Sequence, residues 1–190
     1  MILRVLYCTL LLENQVIQQL KYLKWMEELV LDNPRLQAFY DKSTERIVGR
    51  LKKDTDLFTG IKEVCEHFNI RAGQFQCLGS LKYATFLQVA KGDREGLIKY
   101  SPKVQTKSEV EIISGVGFIG VNQQDELDLH FHGTVVDCDK RIDGGHFIEG
   151  ENQTAITVEF MILPLKDVVL TRKNDEIFNV PVFTFKQKEA

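Results

Sequence analysis

Between positions 15 and 31 the apolar residues Val16, Leu20, Leu23, Met26, Leu29 and Val30 recur at helical spacing, and Asp32-Asn33-Pro34 ends the run. This predicts an N-terminal helical arm over residues 1–41. Such an arm packs on the domain or on a partner subunit, or it is translated from a start codon set too far upstream, with Met26 as the alternative start. The pattern then changes. Residues 46–51 (RIVGRL) predict a first strand. Asp54 or Thr55 caps a helix reaching about Phe68, with Leu57, Phe58, Ile61, Val64, Cys65 and Phe68 on its apolar face. Beyond Asn69 and Gly73 the period becomes two. Residues 73–79 and 81–90 read as strands divided at Gly79-Ser80, followed by a polar loop over 91–107 with a short extra strand near 97–100. Residues 110–121 (VEIISGVGFIGV) predict a buried strand, 129–136 another, 155–163 (AITVEFMIL) a cleanly alternating one, and 180–186 a last one. One helix followed by a run of antiparallel strands specifies an α+β fold. It is a largely antiparallel sheet with one main packed helix, in a domain over residues 42–186 preceded by the helical arm.

Composition narrows the partners. With 190 residues, 44% hydrophobic and 27% charged, the chain is long enough for one domain with a substantial core. A net charge of −3 and a pI near 5.8 give none of the basic surplus common in proteins that bind DNA through its phosphates. Cys8, Cys65, Cys77 and Cys138 have neither metal-knuckle nor redox-motif spacing. Cys65, on the helix face, and Cys77, in a strand, are expected as reduced core residues, which fits a cytoplasmic protein. Residues 1–12 (MILRVLYCTLLL) have a signal-like apolar run. No small-residue cleavage site follows, and the run is too short to span a bilayer, so no membrane partner is expected.

The candidate chemistry lies in three of the four histidines, His130, His132 and His146. Alternation along a strand points His130 and His132 to one face, with Leu129, Phe131 and Val135 on the other, toward the core. A turn-rich link over 137–145, with positive φ supplied at Gly144 and Gly145, folds back to bring His146 beside them. Three converging imidazoles suit a first-row transition metal, most often zinc, and leave a fourth position open. Cys138, Asp137, Asp139 and Glu159 are the nearby candidates for it. His67 reads as a solvated histidine at the C-terminal end of the helix.

These residues resemble the plants-and-prokaryotes-conserved (PPC) domain, whose pattern runs His-Leu-His, Asp-x-Asp-Gly and Gly-Gly-His. Here the matching positions are His130-Phe131-His132, Asp137-Cys138-Asp139 and Gly144-Gly145-His146. The strand-then-helix opening, Cys77-Leu78-Gly79-Ser80 and Glu111-Ile112-Ile113-Ser114 also look like this family, and the resemblance covers roughly residues 46–170. It implies a compact sheet with a helix, a homotrimer, and a zinc site at the three histidines as in prokaryotic members. In plants the domain follows an AT-hook, an Arg-Gly-Arg-Pro segment that enters the DNA minor groove. That is the source of the DNA-binding description attached to bacterial relatives. This chain has no such segment. Its basic run Arg50-Leu51-Lys52-Lys53 reads as a strand end before a helix cap. Glu109 replaces the arginine that opens the strand before the histidines in plant members, and Lys140 stands where the family has glycine.

Glu111 is an acidic position in an otherwise apolar strand, suited to orient a histidine, to act as a base, or to lie at an edge. Glu159 is placed to reach His130 or His132, or to face solvent. Gly115, Gly117 and Gly120 precede no helix and so form no dinucleotide fingerprint. Two functions follow. One is a metal-binding homotrimer with a regulatory or interaction role, of the kind described as DNA-binding, although the charge does not favour DNA. The other is a metal-dependent hydrolase or lyase acting on a small-molecule ligand, with Glu111 or Glu159 as base. A metal that only stabilises the fold is a third reading.

Overall fold

The structure is a computed structural model and describes residues 29–92, 98–177 and 180–188. In chain order the elements are β1 (Val30–Asp32), β2 (Leu36–Asp41), β3 (Arg46–Lys52), α1 (Leu57–His67), β4 (Gly73–Leu81), β5 (Thr85–Leu87), β6 (Val89–Lys91), β7 (Ile98–Tyr100), β8 (Val104–Gln105), β9 (Val110–Val121), β10 (Leu127–Asp137), β11 (Ile142–Phe147), β12 (Thr154–Pro164), β13 (Val168–Asn174) and β14 (Pro181–Gln187). Ten strands form one sheet path in the order β1-β2-β3-β12-β4-β9-β10-β11-β5-β8. The β13–β14 hairpin joins it through a parallel bridge from Thr171 to Val121 at the end of β9, and β6–β7 pair separately.

The one helix among the described residues covers one face of this sheet. Asp56 is its cap: Oδ1 accepts from the Phe58 and Thr59 amides, both at 3.0 Å, and Oδ2 from the Asn152 amide. The expected caps sit too early. Asp54 is in the left-handed region at φ 69°, and the Thr55 hydroxyl is used by the Arg35 carbonyl. Leu57, Phe58, Ile61, Val64 and Cys65 are buried, and Phe58 meets Phe131 edge-on at 6.3 Å. Phe131 stacks on Phe75 at 5.3 Å and takes the edge of Phe147 at 5.2 Å, so this aromatic cluster ties the helix to β4, β10 and β11. Burying such a side chain stabilises by roughly 2–3 kcal/mol. Leu129, Phe131 and Val135 face this core as alternation predicts, which turns His130, His132 and Thr134 to the opposite face.

Several expectations are corrected. The predicted arm helix falls mostly on residues 1–28, outside the described residues. Where it overlaps them the chain is strand: β1 pairs with β2, and β2 pairs with β3 from Leu36↔Leu51 to Asp41↔Arg46. Leu36 and Ala38 are fully buried by this pairing, so residues assigned to the arm belong to the sheet. β4 runs on through Gly79 and Ser80 to Leu81, with a register shift between Cys77 and Gly79 instead of a break. The clean alternation expected over residues 155–163 breaks at Ile156, which is 75% exposed where the pairing of β12 with β4 shifts register between Thr154 and Val158. β13 is absent from the expected set; its apolar start, Val168-Val169-Leu170, hides the alternation. Cys65 and Cys77 are free and buried, and burial pushes both thiols up to about 12. Among the described residues no helix is long and apolar enough to cross a membrane.

Candidate metal centre

Two adjacent strands carry the three histidines. The β10–β11 pairing sets His132 directly opposite His146, with Gly133↔Gly145 and Thr134↔Gly144 following. His130 stands two residues along β10 on the same face. The link predicted as a long turn is therefore a tight one. Lys140 N donates to Asp137 O, Asp137 N donates to Arg141 O, and the chain returns as β11. Lys140 holds φ 64°, so the left-handed conformation that glycine suits is kept by a lysine. Gly144 and Gly145, at φ 156° and 159°, are near-extended strand residues, and what requires glycine there is close approach. A Cβ at Gly144 would stand 2.1 Å from the Gly133 carbonyl oxygen, and one at Gly145 2.3 Å from that of Leu87.

Ring centroids lie 4.9 Å apart for His130–His132, 4.9 Å for His130–His146 and 5.3 Å for His132–His146. One ring nitrogen from each falls within 4.8 Å of the others, and the Nε2 atoms of His130 and His132 are 3.0 Å apart. Two ligands on a tetrahedral zinc are separated by about 3.3 Å. Nδ1 of His146 is buried with no hydrogen-bond partner, an arrangement that costs free energy unless something binds it. Burial, then the Arg172 and His132 charges, hold His130 down to about 4. Burial, then His130, Arg172 and His132, do the same to His146, and burial and Arg172 lower His132. The imidazoles are thus neutral at neutral pH and offer lone pairs, as a metal requires.

The other candidates stand elsewhere. The Asp137 carboxylate accepts from the Asp139 and Arg141 amides through Oδ1, which ties it into the turn. The Cys138 thiol points to the Glu109 carbonyl, and Asp139 faces Arg141. Glu111 is opposite Val136, roughly 13 Å along the strand from His132, and Glu159 is on β12, three strand spacings or roughly 14 Å across the sheet. Neither is brought to the histidines. His67 ends α1 as expected, its ring edge-on to Phe68.

Residues that spacing could not reveal complete the surroundings. Arg172 on β13 is nine-tenths buried. Its Nη1 donates to the Leu129 carbonyl at 3.1 Å, lies 3.4 Å from Asp128 Oδ1, and its guanidinium is 5.5 Å from the Phe183 ring. Phe183 lies 6.4 Å from His130, and Tyr100 on β7 lies 5.8 Å from His146. Beside His132 a trough of about 540 Å³ runs between Val116 and Ile142, over Ser114 and Thr134, toward Gln88 and Asp143.

Fold and site together define a small α+β domain with a three-histidine cluster on the sheet face away from its helix. Residues 38–166 match the Plants and Prokaryotes Conserved (PCC) domain, and the chain belongs to that family, the PPC family of the sequence resemblance. Among solved structures, a DNA-binding candidate from Bacteroides thetaiotaomicron superposes with TM-score 0.64 at 17% identity, covering 78% of this chain and 97% of its own. A metal-containing protein from Archaeoglobus fulgidus gives 0.63 at 22%, covering 73% and 92%. A plant- and prokaryote-conserved protein from Pyrococcus horikoshii gives 0.60 at 18%, covering 81% and 97%. At these identities the likeness establishes the fold. No curated protein matches the sequence.

Proposed function

We propose that His130, His132 and His146 bind a divalent transition metal, zinc, in a homotrimeric cytoplasmic protein with a regulatory or interaction role. The observation that carries the reading is the convergence of one ring nitrogen from each of the three histidines within 4.8 Å, beside which His146 also holds a buried, unpartnered Nδ1. All-imidazole donors suit zinc, copper, iron or nickel, and three ligands with an open position are a zinc arrangement. The metal-containing relative from Archaeoglobus fulgidus supports it. Self-association is supported by the outer sheet face, where Leu78, Ile113, Val116 and Ile156 are 57%, 60%, 42% and 75% exposed on neighbouring strands. Two of the structural relatives are DNA-binding candidates, but the charge of this chain does not favour DNA. Arg35, Lys52, Lys62, Arg71, Lys82 and Lys103 each lie against a carboxylate, and a net charge of −3 gives no basic surplus for phosphates.

The trough beside His132 favours a second reading, metal-dependent hydrolysis or hydration of a small molecule. That reading lacks a base, since Glu111 and Glu159 both stand far from the cluster. Elemental analysis of purified wild-type protein beside His130→Ala, with molar mass by light scattering, tests the first reading. Stoichiometric zinc lost in the variant is the expected result. Metal-free wild type returns the histidines to a structural role, and a monomeric mass removes the trimer.

A further inference from the structure

We propose that the apolar groove between the end of α1, β2 and the β12–β13 turn is the docking site of this chain's own segment before Leu29, seated with Val16, Leu20 and Leu23 inward. The inference stands apart from the metal-site reading and does not depend on it.

The groove is built into the fold. It encloses about 840 Å³, against about 540 Å³ for the trough beside His132. Leu29, Tyr40, Phe68, Leu165, Val168 and Val169 give it apolar walls. Tyr40 and Phe68 are only partly buried against the core, and Val169 is 39% exposed. Backbone hydrogen bonds fix the walls. The Tyr40 amide donates to the Leu29 carbonyl at 2.9 Å, the Leu165 amide to that of Ala72 at 2.9 Å, and the Lys188 amide to that of Asp167 at 2.8 Å. Such a groove exists before any occupant arrives, and it keeps apolar surface in water until one does. A small molecule is poorly served by it. Ligand sites add a few convergent polar groups to apolar walls. Here Arg71 is paired with Asp125, and Lys166 with Glu45. What the groove asks of an occupant is a row of apolar side chains.

The chain carries that row directly before the groove. Val16, Leu20 and Leu23 stand at i, i+4 and i+7, the anchor spacing by which an amphipathic helix fills a groove. The same period runs on to Leu29, and Leu29 is itself a wall. The segment therefore joins the fold at the groove. At about 1.5 Å per residue, no anchor is further than about 20 Å from the wall it grows out of. Tethered this closely, the segment is presented at an effective concentration on the order of millimolar, which a free partner of the same apolar pattern does not match. Glu27 and Glu28 precede Leu29, and Lys188 on the rim has the opposite charge. Leu29, Val168 and Val169 stand outside residues 38–166, the part that matches the family, so this feature is an addition to the shared domain.

The test keeps the full chain, in a Cys8→Ser Cys138→Ser background that leaves only the buried thiols of Cys65 and Cys77. Val169→Cys is combined in turn with Leu20→Cys, Leu23→Cys and Met26→Cys, and with Gln18→Cys and Lys21→Cys at polar positions. Oxidised glutathione should close a bond within one chain at one or more of the first three positions at least about tenfold faster than at either of the last two. Trypsin reads the same contact without new thiols. Cleavage after Lys21 and Lys24 should be slow in the wild type and at least about tenfold faster in Val169→Asp and in Leu23→Asp. Far-ultraviolet circular dichroism checks each fold, and Leu23→Asp decides the matter if Val169→Asp does not fold. Equal cross-linking at apolar and polar positions, no cross-link at any of them, or wild-type cleavage as fast as in the variants overturns the inference. Bonds formed only between chains give the groove to a second copy's segment. Slow cleavage unchanged in both variants gives the segment a different cover. Either result overturns it as well.

Discussion

Zinc at a thousandfold excess over its dissociation constant should stabilise the protein by about 4 kcal/mol, a rise of about 8–16 °C in melting temperature for a chain of this size. The gain should vanish in His130→Ala. Its pH dependence separates a built metal site from surface histidines. Free histidines lose their metal as they protonate near 6.5. Here burial, helped by Arg172, holds His130 and His146 down to about 4, so the folded protein offers neutral ligands well below that point. The zinc-induced shift should persist to about pH 5 and fade only as pH approaches 4. The apoprotein behaves in the opposite sense over the same interval. Between about 6.5 and about 4 the unfolded chain takes up protons that the folded chain does not, so stability falls as pH falls and levels off below the folded values. Partial exposure of the rings moderates the slope. Differential scanning calorimetry with and without zinc from pH 4 to 7 reads both effects. A zinc shift already lost by pH 6 would show that the imidazoles are ordinary solvated groups.

The site was legible in the sequence where it depends on local period, and illegible where it depends on long-range pairing. Alternation alone set His130 and His132 on one face and Phe131 on the other, and the core position of Phe131 bears that out. Gly144-Gly145-His146 also pointed back to the first pair, but as a turn. Only the pairing of β11 between β10 and β5 shows why both glycines are required. Arg172 and Phe183 reach the cluster because the β13–β14 hairpin bridges to the far end of β9, a contact between residues 50 positions apart that no spacing rule anticipates. Where the predicted arm overlaps the described residues, the difference has a related cause. Leu29 and Val30 continue a helical period, yet the hydrogen-bonding edge of β2 takes the chain from Val30 onward as strand. Glu111 and Glu159 stand apart from the histidines because neither face parity nor residue type carries distance along or across a sheet.

Gly144→Ala should be the most disruptive single methyl in the site. The new Cβ would stand 2.1 Å from the Gly133 carbonyl oxygen and 3.0 Å from both the Gly133 carbonyl carbon and the Thr134 Cα. All three are backbone atoms of the paired strand, so no rotamer change relieves the clash, and β11 itself must shift outward. On its other side the shift is opposed by β5, whose Leu87 carbonyl already approaches Gly145. His146 lies two residues on and moves with the strand, while His130 and His132 stay fixed by Phe131 beneath them. A displacement of even 1 Å breaks a convergence that allows only a few tenths of an ångström in each metal–nitrogen distance. The expected cost is about 2–4 kcal/mol in stability and at least about a hundredfold in metal affinity. Asp56→Ala separates the two effects. Loss of that cap should cost about 1 kcal/mol by freeing the Phe58 and Thr59 amides on the opposite face of the sheet, with metal affinity unchanged. Calorimetric metal titrations of both variants, at temperatures where each is fully folded, read the difference. If Gly144→Ala binds metal as wild type does, close packing of β11 is not what brings His146 to its partners.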